Sequence, residues 1–173
     1  FAIIVFIAFT ISGTSYAQDN FDHSSFNELL KKHVDSDGWV NYDGFLKDKA
    51  QLTAYLDKLK KNPPNKSTWS KDEQLAFWIN AYNAFTVDLV LQHYPLASIK
   101  DIGSKIQVPF VNSPWDIKFI EINGEKYDLN NIEHGIIRKE FDEPRIHFAV
   151  NCASYSCHLL RNEAYTAANL DTL

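Results

Sequence analysis

The chain has 173 residues, about the size of one ordinary domain, and 45% of them are hydrophobic, so a packed core is expected and wholesale disorder is not. Its formal net charge is -5, and no stretch is rich in Lys and Arg. Because a nucleic-acid groove needs clustered cations to neutralise phosphates, we expect no nucleic-acid partner.

The first seventeen residues have the pattern of a secretory signal peptide. An apolar, uncharged run begins over residues 1–9 and ends at residues 11–13. Small residues follow at Ser15 and Ala17, and then the polar Gln18. This order fits cleavage before Gln18. The apolar run of about 13 residues is shorter than the roughly 20 needed to span a bilayer. We therefore expect residues 1–17 to be a signal peptide that lacks its start, and the mature protein to be exported (periplasmic, cell-surface or secreted) and free of the membrane.

The mature chain is predicted to begin with a short helix and a turn. Ser25 and Glu28 have the spacing of a capping box, in which each side chain binds an amide of the first turn, and this helix would end at His33. Residues 35–38, Asp-Ser-Asp-Gly, predict a turn, since Gly supplies a positive φ.

A second helix is predicted after an extended segment at residues 39–42. Asp43 is placed to cap it, and Pro63 ends it. Its apolar residues fall on one helical stripe: Phe45, Leu52, Leu56 and Leu59.

The most apolar helix of the chain is predicted to follow Ser70. Ser70 and Glu73 form a second capping-box pattern, and apolar residues then occupy nearly every side of the segment 75–91. Such a helix belongs in the centre of a domain. Its Asn80 and Asn83 share a face, and a buried amide without partners costs about 1–3 kcal/mol. These two side chains are therefore candidates for a structural or a chemical role.

The second half of the chain changes character. Two short β-prone segments, 117–122 and 125–129, flank Asn123-Gly124, which predicts an antiparallel hairpin. A short helix over residues 132–138, capped by Asp128 or Asn130, is expected next.

A buried strand is predicted over residues 145–150, and it would deliver Asn151 and Cys152 at its end. The fold class is then α+β, with a helical N-terminal half around a buried central helix and a small antiparallel β portion, including the hairpin, in the C-terminal half. In such a strand His147 would point away from the face of Cys152. A helix is beginning at residues 169–173, so we expect the domain to be truncated at its C-terminus.

Three motifs in this order resemble the DUF547 family, a class defined by sequence and without an assigned activity. They are Phe77-Trp-Ile-Asn-Ala-Tyr-Asn-Ala84, Asn131-Ile-Glu-His-Gly-Ile-Ile-Arg138, and Arg145-Ile-His-Phe-Ala-Val-Asn-Cys-Ala-Ser154 with Ser156-Cys157. Gly38-Trp-Val-Asn-Tyr42 fits the family's usual opening. The resemblance covers about residues 24–173 and implies a single DUF547-like domain over residues 18–173. This chain departs from the family's usual Ser-Cys-Pro-Pro at His158 and Leu159.

Cys152 is the first candidate for chemistry. A thiolate nucleophile needs a base or a helix N-terminus that lowers its pKa, and His134 is the candidate base. Asn80 or Asn83 would orient the imidazole or donate to an oxyanion. Such a set suits a thiol-dependent hydrolase or acyl transferase acting on peptide-like or envelope material, without a cofactor.

Asn131 and Arg138 lie on the same helical face as His134 and are candidate ligand-binding residues, with Arg138 suited to an anion. Arg138 is equally an ion-pairing partner for the neighbouring Glu133.

The alternative for Cys152 is a disulfide with Cys157, as expected for two nearby cysteines in an exported protein. The protein would then be a non-catalytic binding or structural domain, and a thiol redox role is a third reading. Aromatic side chains are candidates to line a groove for peptides or glycans: Trp39, Trp69, Trp78 and Trp115, together with the eight tyrosines. A metal site is not expected, because the Cys-x4-Cys-His spacing at residues 152–158 does not match that of zinc sites.

Overall fold

A computed structural model describes residues 20–103 and 113–172; the predicted signal peptide lies outside this part of the chain. The fold is α+β, as predicted. Its helices are α1 (Ser24–His33), α2 (Tyr42–Lys47), α3 (Lys49–Lys61), α4 (Lys71–His93), a π-helix (Asn131–Ile137), α5 (Arg138–Glu140) and α6 (Ile146–Ala149). Its strands are β1 (Ile120–Ile122) and β2 (Glu125–Tyr127), and short 3₁₀ turns occupy Ile99–Asp101, Pro114–Asp116 and Leu170–Thr172.

Helix α4 forms the centre of the domain, as its apolar sequence predicts. Ser70 caps it through the predicted capping box, accepting a hydrogen bond from Glu73 N while Glu73 binds Ser70 N. Seventeen of its 23 residues are buried, and it packs against α2, α3 and the π-helix. Within residues 20–103 and 113–172, no helix combines the length and the apolar character needed to cross a membrane.

The N-terminal helices form where predicted but begin differently. Helix α1 starts at Ser24, whose amide binds Asp22 Oδ1 at 2.9 Å, so the capping box predicted for Ser25 and Glu28 does not form. Helix α2 is capped by Asn41, which accepts from Gly44 N at 2.9 Å, and not by Asp43. A single predicted helix is thus divided into α2 and α3, which then ends before Pro63 as expected.

The turn at residues 35–38 forms as predicted and packs against the C-terminal half. Asp35 Oδ1 accepts from the amides of Asp37 and Trp39, both at 2.9 Å, and Gly38 has φ +76°. A Cβ atom at Gly38 would overlap the side chain of Leu159. The turn therefore brings Trp39 beside residue 159.

The predicted hairpin is confirmed in a shorter form. Ile120 pairs with Tyr127 and Ile122 with Glu125, and the two turn residues Asn123 and Gly124 both have positive φ. Their left-handed conformation is the one that Asn-Gly favours in a two-residue hairpin turn.

The strand predicted over residues 145–150 is wrong: this segment is helix α6, Ile146–Ala149. No strand lies beside it in the described part of the chain, and a short apolar run does not by itself distinguish a strand from a helix. The amide of Val150 instead binds Ile146 O at 3.2 Å. The orientation predicted for His147 depended on this strand and is therefore wrong as well. The His147 ring packs against that of His158, with centroids 4.6 Å apart.

Candidate functional site

Cys152 and Cys157 form a disulfide, so the disulfide reading of these cysteines is confirmed. Their Cα atoms are 6.0 Å apart and the bond closes the loop 152–157, which we call the disulfide loop. Asn151 fixes its base: Oδ1 accepts from Ala153 N at 2.9 Å, and Nδ2 donates to His158 O at 2.6 Å. In this oxidised state neither cysteine carries a thiol.

Asn83 connects the disulfide loop to the buried helix α4. Its Nδ2 donates to Ala149 O at 2.9 Å, and its Oδ1 accepts from Asn151 N at 2.9 Å. The carboxamide therefore satisfies the backbone on either side of Val150. This pairing explains why a polar side chain is stable in the core, since the buried groups are satisfied on both sides.

Asn80 makes the same kind of connection one turn earlier. Its Nδ2 donates to Tyr165 O at 2.7 Å, and its Oδ1 accepts from Tyr165 N at 3.0 Å. Both asparagines were predicted as catalytic candidates, and in this structure both hold backbone. Each anchors a different loop of the C-terminal half to α4.

His134 lies exposed in the π-helix. No hydrogen bond or ring contact within the described residues joins it to Cys152, Asn80 or Asn83. The four residues of the predicted catalytic set therefore have different surroundings. Asn80 and Asn83 anchor loops, Cys152 forms the disulfide, and His134 is exposed.

The predicted ligand-binding residues Asn131 and Arg138 are engaged by neighbouring side chains. Arg138 donates from Nε and Nη2 to Glu133 Oε1, at 3.0 and 2.8 Å, as its alternative ion-pairing reading predicts. Asn131 Oδ1 accepts from Lys118 Nζ at 3.1 Å. Asp128, one of the two predicted caps, accepts from the amide of Asn131 at 2.6 Å.

Glu133 also lies near the Tyr82 hydroxyl. Burial raises the pKa of Tyr82 far above its ordinary value of 10, and the charge of Glu133 raises it further. The phenol therefore stays protonated and can donate to Glu133. These contacts tie the π-helix to α4.

An apolar groove of about 530 Å³ lies beside the disulfide loop, and we call it the disulfide groove. Trp39 and Leu159, brought together by the turn at Gly38, form one side, and Tyr155 projects from the loop. These three side chains are 65%, 64% and 98% exposed. Phe148, 56% exposed, adjoins them by packing on the ring of His158, with centroids 4.4 Å apart.

Among the described residues, the lining of the disulfide groove includes no Asp, Glu, Lys or Arg side chain. Burial raises the pKa of Tyr42 in its wall to about 12, so this phenol is neutral at physiological pH. Trp115 donates from Nε1 to Cys152 O at 3.2 Å and supports the loop from the core side. Trp69 and Trp78 also pack with the core, so Trp39 is the tryptophan that faces the groove.

Sequence reasoning named Trp39 and, among the eight tyrosines, Tyr155 as groove candidates but missed Phe148 and Leu159. Tyr155 is an aromatic residue between two serines in a loop bounded by cysteines. Such a loop is too short to bury a large ring. In residues 20–103 and 113–172, His, Cys, Asp and Glu side chains nowhere form a group of three or more suited to a metal ion.

The sequence of residues 66–173 matches the family model DUF547, described as a protein of unknown function. The chain belongs to the DUF547 family. The match contains α4, the hairpin, the π-helix and the disulfide loop, whereas the opening motif at residues 38–42 precedes it. No curated protein and no solved structure matches the chain. Membership in DUF547 therefore establishes the family without assigning an activity.

Proposed function

We propose that this DUF547 protein is an exported, non-catalytic binding domain that takes peptide-like material in the disulfide groove. One observation carries the proposal: of the four large hydrophobic side chains that are exposed in the described part of the chain, Trp39, Tyr155 and Leu159 line this groove. The fourth, Phe148, packs on the ring of His158, which also lines it. Exposed apolar side chains gathered in one patch are typical of interaction sites. The disulfide is compatible with an oxidising compartment.

The chemistry of the groove favours an uncharged ligand with apolar side chains. Its volume of about 530 Å³ lies within the range of small-molecule sites, which is also room for a few residues of a peptide. Without an Asp, Glu, Lys or Arg among its described residues, the lining offers no fixed charge to compensate a buried ligand charge. Asn151, Ser154 and His158 supply polar groups at the edge, which suits the amides of an extended peptide.

The test is a titration of the isotope-labelled, oxidised protein with three tripeptides, acetyl-Ala-X-Ala-amide with X as Leu, Phe or Asp. We expect saturable NMR shifts at residues 153–159 for the Leu and Phe peptides, and binding at least tenfold weaker for the Asp peptide. Tyr155→Ser should weaken binding about tenfold without loss of folding, because the ring is 98% exposed. Lys126→Ser, on the exposed strand β2, is the control and should bind normally. The absence of shifts with all three peptides, or undiminished binding by Tyr155→Ser, would refute the proposal.

A thiol-dependent hydrolase or acyl transferase is the alternative proposal, supported by the residue types of Cys152 and His134 and by the position of Cys157 in the wall of the groove. It requires reduction of the disulfide, since the thiolate is the nucleophile. We would follow hydrolysis of the same Leu peptide before and after reduction. Turnover that appears on reduction and is lost in both Cys152→Ser and His134→Ala would favour the enzyme. Reversible oxidation of an added dithiol without hydrolysis would favour a redox role.

A further inference from the structure

A second, polar pocket lies between the start of α1 and the segment 163–169, and we call it the His23 pocket. It has no lining residue in common with the disulfide groove. Its volume is about 450 Å³. His23 and Phe21 form its inner wall and are 5% and 4% exposed, with their rings 4.7 Å apart. The neutral polar residues Ser24, Asn27, Thr166 and Asn169 form much of the remaining lining.

The imidazole of His23 is held in one tautomer by Tyr55. The Tyr55 hydroxyl is buried and lies 2.6 Å from His23 Nδ1, its hydrogen-bond partner among the described residues. A buried phenol must donate its single hydrogen, so Nδ1 is the acceptor and the ring proton sits on Nε2. Burial lowers the pKa of His23 to about 3, with a smaller contribution from Lys58, so the ring is neutral at physiological pH.

His23 Nε2 binds no protein group among the residues that the structure describes. Every fully buried side-chain nitrogen or oxygen in that part of the chain has a hydrogen-bond partner, so Nε2 must reach solvent. Because His23 is otherwise enclosed and lines the pocket, the solvent that Nε2 reaches is that of the pocket. The structure therefore presents an N–H donor, oriented by a buried phenol, to a preformed cavity.

The opposite wall of the pocket is fastened to the core. Asn27 Oδ1 accepts from Ala164 N at 3.1 Å, and Asn169 Nδ2 donates to Ala164 O at 3.0 Å. Asn80 holds the next residue, Tyr165, through both its N–H and its C=O. A wall fixed in this way needs little reordering when a ligand binds, which reduces the entropic cost of binding.

The charges around the pocket disfavour anions. Among the described lining residues Asp22 and Glu163 are the charged ones; they pair with Lys58, at 3.0 Å, and Arg161, at 2.6 Å, neither of which is a lining residue. An anion entering the pocket would meet two carboxylates, whereas a neutral hydroxyl or carbonyl oxygen would meet the Nε2–H donor. We propose that this pocket binds a small neutral molecule through a hydroxyl or carbonyl oxygen that accepts a hydrogen bond from His23 Nε2.

The experiment uses ¹⁵N-histidine-labelled protein with N-acetylglucosamine and N-acetylglycinamide as neutral probes and glucuronate as the anionic control. We expect the free protein to show the Nε2–H tautomer for His23, and at least one neutral probe to cause saturable shifts of His23 Nε2 and of the Ala164 and Thr166 amides. Glucuronate should bind at least tenfold more weakly. Shifts with N-acetylglucosamine alone would indicate a polyol site, and shifts with N-acetylglycinamide would indicate an amide site.

Two variants test the role assigned to His23. His23→Gln should weaken binding of the responding probe about tenfold, as expected for loss of an oriented hydrogen bond. Lys126→Ser serves as the control. Three results from the unmodified protein would overturn the proposal: an Nδ1–H tautomer of His23, no shift with either neutral probe up to 100 mM, or equal binding of glucuronate. Undiminished binding by a folded His23→Gln variant would also overturn it.

Discussion

Asn80 and Asn83 lie three residues apart on the buried helix α4, and each uses both ends of its carboxamide. An amide pairs with a backbone N–H and a backbone C=O at once, as no apolar residue can. The two positions thus fasten two non-helical segments to a helix that is otherwise apolar. At the scale of single residues, the stability of both candidate sites depends on these hydrogen bonds.

Replacement of Asn83 by Ala should lower the free energy of unfolding by about 2–4 kcal/mol, because the buried Ala149 C=O and Asn151 N–H lose their partner. Urea unfolding followed by circular dichroism measures the effect. Gln92→Ala is the matched control on the same helix. Among the described residues its exposed side chain donates to Asp88 alone, so its change should stay below about 0.5 kcal/mol. Equal effects of the two substitutions would contradict the anchoring role of Asn83.

The buried His23 should make the protein sensitive to mild acid. Its folded pKa of about 3 lies below the ordinary value of 6.5, so the unfolded state binds more protons between these values. Stability due to the neutral ring is complete above pH 6.5 and falls as the pH decreases, by up to about 1.4 kcal/mol per pH unit.

Urea unfolding at pH 7.0, 6.0, 5.0 and 4.5 tests this expectation, with His23→Gln as the comparison. The variant should show a much shallower slope over this range, whatever its stability at pH 7. The range stops at pH 4.5 because Glu143, whose pKa the Arg145 hydrogen bonds lower to about 2, loses its stabilisation in stronger acid. Parallel slopes for the two proteins would rule out His23 as the source.

At the scale of elements, local sequence signals predicted the helices well but not all of their ends. The capping-box pattern occurs at Ser25 and at Ser70, yet only Ser70 caps a helix, because α1 begins one residue before Ser25. At both positions the serine is followed three residues later by a glutamate. What differs is the preceding chain, where Asp22 supplies the acceptor for the first amide of α1.

The two serines therefore form a matched pair for mutation. Ser70→Ala should lower the free energy of unfolding by about 1 kcal/mol, since it removes the acceptor for the Glu73 amide at the start of α4. Ser25→Ala should change it by less than about 0.5 kcal/mol. Thermal unfolding of both variants at one pH measures the difference. A larger loss in Ser25→Ala would mean that the predicted capping box at α1 does form.

The site was harder to predict than the fold, because it depends on geometry that residue spacing does not determine. Residues 131, 134 and 138 share a face in an α-helix, but the segment is a π-helix, whose hydrogen bonds connect residues five apart. Residues 145–150 have the composition of a strand, but residues 20–103 and 113–172 offer them no strand to pair with. The groove itself arises from contact between Gly38 and Leu159, which are far apart in sequence. The disulfide and the burial of α4 were predictable from composition and local pattern.

At the scale of the whole molecule, α4 supports two surface sites that are separate in their lining residues. Asn83 holds the base of the disulfide loop, and Asn80 holds the wall of the His23 pocket. The disulfide adds a constraint to the first site alone. Its removal should therefore change one site and spare the other, which gives a test of how independent they are.

Conversion of both Cys152 and Cys157 to Ser should lower the free energy of unfolding by about 2 kcal/mol, the value expected from loop entropy for a bond between residues five apart. The helical signal should persist, because the core around α4 does not include the disulfide. Binding of the Leu peptide in the disulfide groove should weaken at least tenfold, since Tyr155 and Leu159 lose their fixed support. Binding of the neutral probe in the His23 pocket should stay within twofold of the unmodified protein. Loss of binding at both sites in a folded variant would mean that the two sites are coupled through α4. Unchanged binding at both sites would mean that the disulfide does not shape the groove.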